Sequence, residues 1–195
     1  MKYKHAPDMH LADGLLRGAE YIATTHCDHR PTNTAISLLV IHNISLPPNQ
    51  FGGPHISELF TGKLDPKGHP YFAQVYQMRV SSHCLIRRDG KIIQYVPFEL
   101  RAWHAGVSSF QGREKCNDYS IGIELEGADH IPYTQEQYEA LVALTWKLML
   151  DYQGITLGRI VGHNDIASGR KSDPGIAFDW TKFRTDLASF GKTQA

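Results

Sequence analysis

The chain has no apolar run of the roughly 20 residues needed to cross a bilayer. It has no excess charge of either sign, since 20 lysines and arginines stand against 20 aspartates and glutamates. That balance removes the general electrostatic pull toward nucleic acid or an anionic membrane, and neither is expected as a partner. Cysteine is scarce: Cys27, Cys84 and Cys116 are an odd number without the spacing of a disulfide framework. Reduced thiols in a cytoplasmic protein are the simplest expectation. Residues 1–10 carry positive charge but no apolar stretch follows them, so they do not read as a secretory leader. Repeats, low-complexity tracts and interdomain linkers are missing too, and residues 1–195 are expected to form a single domain. What the chain has in quantity is histidine, 11 residues, which favours metal or proton chemistry.

The patterning gives a coarse architecture. Residues 1–34 are polar and irregular and are expected to pack on the domain, with one short helix near 15–22. Residues 36–41 are almost unbrokenly apolar and rich in branched side chains, the pattern of a strand covered on both faces. Prolines and glycines within 47–54 force an irregular loop, after which a short helix is expected over 55–60. Runs at 82–86 and 91–96 read as two strands joined by the Asp89-Gly90 hairpin signal. Over 119–126, Tyr119, Ile121, Ile123 and Leu125 share one face while Ser120, Gly122, Glu124 and Glu126 share the other. Thr134 and Gln137 resemble a capping box, helical spacing follows to Tyr152, and Gly154 is placed to end that helix. A last helix is expected from Asp179, with Trp180, Phe183 and Leu187 on one face. Strands interspersed with helices predict an α/β (α+β) domain, a mixed central sheet flanked by helices.

Residues 161–175, VGHNDIASGRKSDPG, put His163, Lys171 and Asp173 into one loop-rich segment short of bulky apolar side chains. Such a segment adds little to a core, which points its polar groups toward chemistry. His42, at the end of the first apolar strand, offers a further ligand. Two imidazoles and a carboxylate, with a fourth position left for water, are the open arrangement of a catalytic zinc; structural zinc is more often closed by four protein ligands. Each element also has an ordinary explanation. A histidine at a strand end usually meets solvent, and Ser-Asp-Pro-Gly is ordinarily a turn. Glu124 projects from a face with small neighbours and is the candidate general base, although alternation accounts equally well for a solvated glutamate. Lys171 is the candidate for stabilising a developing oxyanion, against the solvent-facing role of most lysines. Trp103, followed by His104-Ala105-Gly106, offers a platform for a sugar ring, whereas core packing is the commoner fate of an indole. Arg79 and Lys115 are available to an acidic substrate group or to solvent. His83 and His104 compete for ligand status, and His26-Cys27-Asp28-His29 is a metal-like cluster without a Cys-x-x-Cys partner.

Seven segments taken together, LVIHNISLPP (39–48), FGG (51–53), HPYF (69–72), SHCLIRRDG (82–90), RAWHAGVSS (101–109), SIGIELEG (120–127) and GRKSDPG (169–175), resemble the amidase-2 family of N-acetylmuramoyl-L-alanine amidases. The likeness is to its cytosolic members of bacterial cell-wall recycling, and it runs from about residue 20 to residue 187. It implies a fold shared with peptidoglycan recognition proteins. It also implies one zinc ion on His42, His163 and Asp173, with Glu124 as catalytic base and Lys171 as transition-state stabiliser. Trp103, Arg79 and Asn43 take positions associated with substrate binding, while His83 and His104 match motif residues that are not ligands. The implied substrate is a peptide-bearing 1,6-anhydro-N-acetylmuramic acid, cut at the amide between its lactyl group and L-alanine. No obligate protein partner is implied. Ser168 stands where relatives usually carry proline, Ser172 where threonine is frequent and Lys115 where arginine is common; none of these removes an implied ligand. The competing readings are a non-catalytic peptidoglycan-binding module, a periplasmic amidase of broader specificity and a purely structural zinc.

Overall fold

The computed structural model describes residues 11–194. Its centre is a six-stranded sheet made of β1 (Glu20–Tyr21), β2 (Leu38–Ile44), β3 (Cys84–Ile86), β4 (Ile92–Gln94), β5 (Ser120–Glu126) and β6 (Ile160–Gly162). The spatial order is β6-β2-β5-β3-β4-β1. The first four run parallel, β4 is antiparallel to β3, and β1 pairs parallel with β4, which makes the sheet mixed as expected.

Strand β2 starts two residues later than the apolar run predicts and extends through Ile44, so His42 lies within the strand rather than at its end. All seven residues of β5 are buried. The small and acidic face of that strand is therefore covered, and the half-exposed sheet that would have left Glu124 solvated is not what forms. One side of the sheet, including Leu39, Ile41, Cys84, Ile86, Ile121, Ile123 and Leu125, packs against α3 (Gln135–Asp151) and α5 (Trp180–Gln194). On the other side, Leu85 and Ile93 meet α1 (His55–Phe60) and α2 (Phe72–Val75) through Ile56, Leu59, Phe60 and Phe72. Beside that cluster, Leu38 and Val40 pack with Ala105, Cys116, Tyr119, Val161 and Ile166.

Helix α3 begins at the expected capping box: the Gln137 N–H donates to Thr134 Oγ1 at 3.1 Å, and the Thr134 N–H donates to Gln137 Oε1 at 3.1 Å. Its buried Leu141, Leu144 and Leu148 each contribute about 1.5–3 kcal/mol of apolar transfer. The helix closes at Asp151, so Gly154 is not its cap; a Cβ there would sit 2.6 Å from the Ile36 carbonyl oxygen, and a close approach of chain segments is what requires glycine. The hairpin at Asp89-Gly90 and the helix at His55–Phe60 are as expected.

The helix expected near 15–22 does not form. Leu15–Leu16 pairs antiparallel with Leu11–Ala12, and Glu20–Tyr21 is the sheet edge. Gly14 and Gly18 take φ of +74° and +87°, conformations that interrupt a right-handed helix on both sides of Leu16. The buried Gln94 side chain then takes the place of a helical partner, accepting from the Leu16 N–H at 2.8 Å and donating to the Gly14 carbonyl at 2.8 Å. Of the irregular 1–34 segment, residues 1–10 lie outside the described residues. No helix among the described residues is long and apolar enough to cross a membrane.

Candidate active site

Three neighbouring strands deliver the site to one end of the sheet. His42 on β2 stands directly opposite Glu124 on β5. Strand β6 places Gly162 opposite Ile41, and α4 (His163–Ile166) starts at the next residue, so His163 arrives beside His42. The Asp165 carboxylate accepts the Gly162 N–H at 2.7 Å and fixes this turn. Asp173 returns over it, its carbonyl accepting the Asn164 N–H at 3.0 Å.

His42 Nδ1, His163 Nδ1 and Asp173 Oδ2 form a triangle with every side 3.0 Å. Its corners lie roughly 1.7 Å from its centre, inside the ~2.0–2.1 Å of a zinc–ligand bond, so one ion reaches all three atoms. The tautomers agree with this. His163 Nε2 is 3.1 Å from the Ala105 carbonyl oxygen, which only accepts, so the proton sits on Nε2 and the Nδ1 lone pair faces the triangle. His42 Nε2 is 2.9 Å from His104 Nδ1, and His104 Nε2 is 3.1 Å from Ser120 Oγ. With its proton on Nε2, His42 donates to His104, His104 donates to Ser120, and the second lone pair also points inward. Two lone pairs and a carboxylate aimed at one spot repel one another unless a cation lies between them. Burial opposes ionisation of Asp173; where a proton on an imidazole Nδ1 stands in for the cation, the hydrogen bond it makes outweighs burial and holds the carboxyl below the usual range. Burial is also the main cause of the lowered pKa of His42.

Glu124 is only 9% exposed, and its Oε2 is buried without a hydrogen-bond partner. Burial first, and the Asp173 charge second, push its pKa well above the usual carboxylate value, while the Lys171 charge works the other way. An unpaired buried carboxylate costs stability, and a raised pKa beside a cleft marks a candidate for proton transfer.

All five residues line a cleft of about 340 Å³. Trp103 lines it as well, with its indole Nε1 donating to Asp28 Oδ1 at 3.1 Å and the Arg79 guanidinium 5.1 Å over its ring. Asn43 is at the cleft, with its amide nitrogen donating to Asp129 Oδ1 and to the Pro174 carbonyl. Lys115 is exposed and precedes the short 3-10 turn Cys116–Asp118. Among the described residues, His42, His163 and Asp173 are the one group with metal-ligand spacing. His83 accepts the Gly122 N–H and donates to the Leu100 carbonyl, and His104 touches His42 without joining the triangle. In the His26–His29 cluster, Asp28 is paired with Arg101, and the His26 ring bonds the Val80 carbonyl. Sequence reasoning missed Tyr71, which lines the cleft beside Val75 and Met78 on its apolar wall; its place in HPYF was the available signal. It also missed the His104–Ser120 support.

A family model described as N-acetylmuramoyl-L-alanine amidase matches residues 32–176. The 1,6-anhydro-N-acetylmuramyl-L-alanine amidase AmpD of Haemophilus influenzae is 61% identical over 177 residues, covering 91% of this chain and 96% of the relative. A crystal structure of a selenomethionine derivative of AmpD superposes with a TM-score of 0.89 at 58% identity, covering 91% of this chain and 98% of that one. The Escherichia coli amidase AmiD, solved with the substrate anhydro-N-acetylmuramic acid-L-Ala-D-γ-Glu-L-Lys, superposes with a TM-score of 0.58 at 28% identity, over 80% of this chain and 60% of that one. A family match spanning most of the chain, and relatives that agree with it nearly end to end, lead to one conclusion: the chain belongs to the amidase-2 family of N-acetylmuramoyl-L-alanine amidases.

Proposed function

We propose that this amidase takes 1,6-anhydro-N-acetylmuramyl peptides and hydrolyses the amide between the lactyl group and L-alanine, using one zinc ion on His42, His163 and Asp173. The observation that carries this is the 3.0 Å triangle of donor atoms next to the unpartnered buried carboxyl of Glu124. The relatives support the substrate: AmpD is named for the 1,6-anhydro-muramyl-L-alanine amide, and AmiD holds an anhydro-muramyl peptide.

When bound, zinc polarises the scissile carbonyl and lowers the pKa of a coordinated water toward neutrality. Glu124 accepts a proton from the attacking water and returns it to the nitrogen of L-alanine as the carbon–nitrogen bond breaks. Its raised pKa suits both halves of that transfer. Lys171 stabilises the negative charge that develops on the carbonyl oxygen. Trp103, braced by Asp28 at the cleft wall, offers its indole to the sugar ring, and Arg79 beside it is the candidate partner for a peptide carboxylate. The hydroxyl of the water bonds to the carbonyl carbon and ends in the lactyl carboxylate, and the free peptide leaves. A complete donor set and an adjacent acid–base group speak against a binding-only module. A cytoplasmic setting is supported by three free cysteines, two of them buried.

The test is incubation of zinc-loaded protein with 1,6-anhydro-N-acetylmuramyl-tripeptide, with products followed by mass spectrometry. Wild type is expected to release free tripeptide, and Glu124→Ala and Asp173→Ala are expected to lose nearly all turnover. Binding without release by wild type would overturn the reading.

A further inference from the structure

We propose that Asn43 is a positioning residue for the Asp173 ligand. The proposal rests on the assignment of Asp173 as a metal ligand. Asn43 follows His42 on β2, so the two side chains leave the strand on opposite sides. The Asn43 amide nitrogen donates to Asp129 Oδ1 at 2.8 Å and to the Pro174 carbonyl oxygen at 3.0 Å. A carboxylate and a carbonyl only accept, so the group facing them is the NH₂, and both of its hydrogens are engaged.

The Pro174 carbonyl also accepts the Tyr133 hydroxyl at 2.7 Å. The Asp129 carbonyl accepts the Ala177 N–H at 2.9 Å. Gly175 approaches Asp129 so closely that a Cβ would lie 2.2 Å from the Asp129 Cα. The loop that carries Asp173 is thus docked on the segment 129–133, and Asn43 ties both to the strand that carries His42. One side chain of the His42-Asn43 pair supplies a donor atom. The next sets how far that donor lies from the carboxylate donor of Asp173. Groups that orient ligands in this way commonly change metal affinity by about 10–100-fold when removed.

Zinc affinity of the full chain, read by competition with a chromophoric chelator, tests this alongside kcat and KM at saturating zinc for the anhydro-muramyl tripeptide. Asn43→Ala is expected to weaken zinc binding about 10–100-fold, a loss that removal of a substrate contact alone would not produce. Asn43→Asp is expected to be worse, because it sets a second carboxylate against Asp129 and the Pro174 carbonyl. Tyr133→Phe removes the other bond to the same carbonyl and is expected to weaken zinc binding several-fold, coupling non-additively with Asn43→Ala. If Asn43→Ala fails to fold, Tyr133→Phe decides the matter. Unchanged zinc affinity in these variants, or a raised KM with zinc affinity intact, overturns the proposal. Asp173→Ala separates the two levels. Loss of zinc there with retention in Asn43→Ala and Tyr133→Phe sinks only the positioning role, whereas zinc binding as tight as wild type in Asp173→Ala sinks the ligand assignment beneath it.

Discussion

Glu124 carries a buried oxygen with no partner, an arrangement that is costly unless the group has a task. Replacing it with glutamine keeps the shape and removes the charge. Glu124→Gln is expected to lower kcat by about 10²–10⁴-fold, the usual worth of a general base. The melting temperature of the metal-free variant should equal or exceed that of wild type, because a neutral amide is easier to bury than an unpaired carboxylate. A kcat within tenfold of wild type would place the base elsewhere. His104 offers a second residue-level test through its 2.9 Å contact with His42. His104→Leu is expected to weaken zinc binding about 10–100-fold, and His104→Asn, whose amide oxygen still accepts from His42 Nε2, to recover part of the loss. Equal zinc affinity in both variants would mean that packing alone fixes the His42 ring. His42, His163, Asp173 and Glu124 could be picked out in the sequence because alternation and loop composition mark them. The support from His104 could not, since no local pattern says that this ring lies against β5.

His104 lies on Gly122 so closely that a Cβ there would sit 2.5 Å from the imidazole. Gly122→Ala is therefore expected to destabilise the protein by about 1–3 kcal/mol through overpacking and to weaken zinc binding by displacing His104. Urea melts and chelator competition on the same samples measure both, and an undisturbed zinc affinity would argue against the link. The strands and α3 were legible because their patterns agree with their surroundings: the apolar run in β2, the reciprocal cap at Thr134 and Gln137, the Asp-Gly hairpin. The segment 15–22 was misread because its leucines suit a helix, and the feature that overrides them, the Gln94 side chain bonded to Leu16 and Gly14, comes from about 80 residues away. The covering of the Glu124 face was likewise hidden, because alternation fixes which residues share a face and not what lies over it.

Across the whole molecule the sheet is covered on both sides, and that enclosure disfavours the charged forms of His42, His83 and His104. His83 is fully buried, its Nδ1 accepts from Gly122 and its Nε2 donates to Leu100. Burial, with the Arg30 charge behind it, keeps its pKa well below the ordinary value. An unfolded histidine titrates near ~6.5. Below that pH the unfolded chain binds a proton that the folded chain refuses, so stability falls as pH falls, by up to about 1.4 kcal/mol per pH unit. Urea melts of metal-free protein at pH 7.5 and pH 5.5 are expected to show wild type losing more stability than His83→Gln, by about 1 kcal/mol. Equal losses would show that His83 takes up its proton in the folded state. The enclosure also sets the chemistry, since it leaves the His42, His163 and Asp173 donors, Glu124 and Lys171 facing one cleft with Trp103 at its wall. On our proposal water attacks the lactyl carbonyl of a 1,6-anhydro-muramyl peptide in that cleft, and turnover in ¹⁸O-labelled water followed by mass spectrometry of both products tests this. One labelled oxygen in the lactyl carboxylate and none in the released peptide is the expected result; label in the peptide, or tight binding with no release at all, would contradict it.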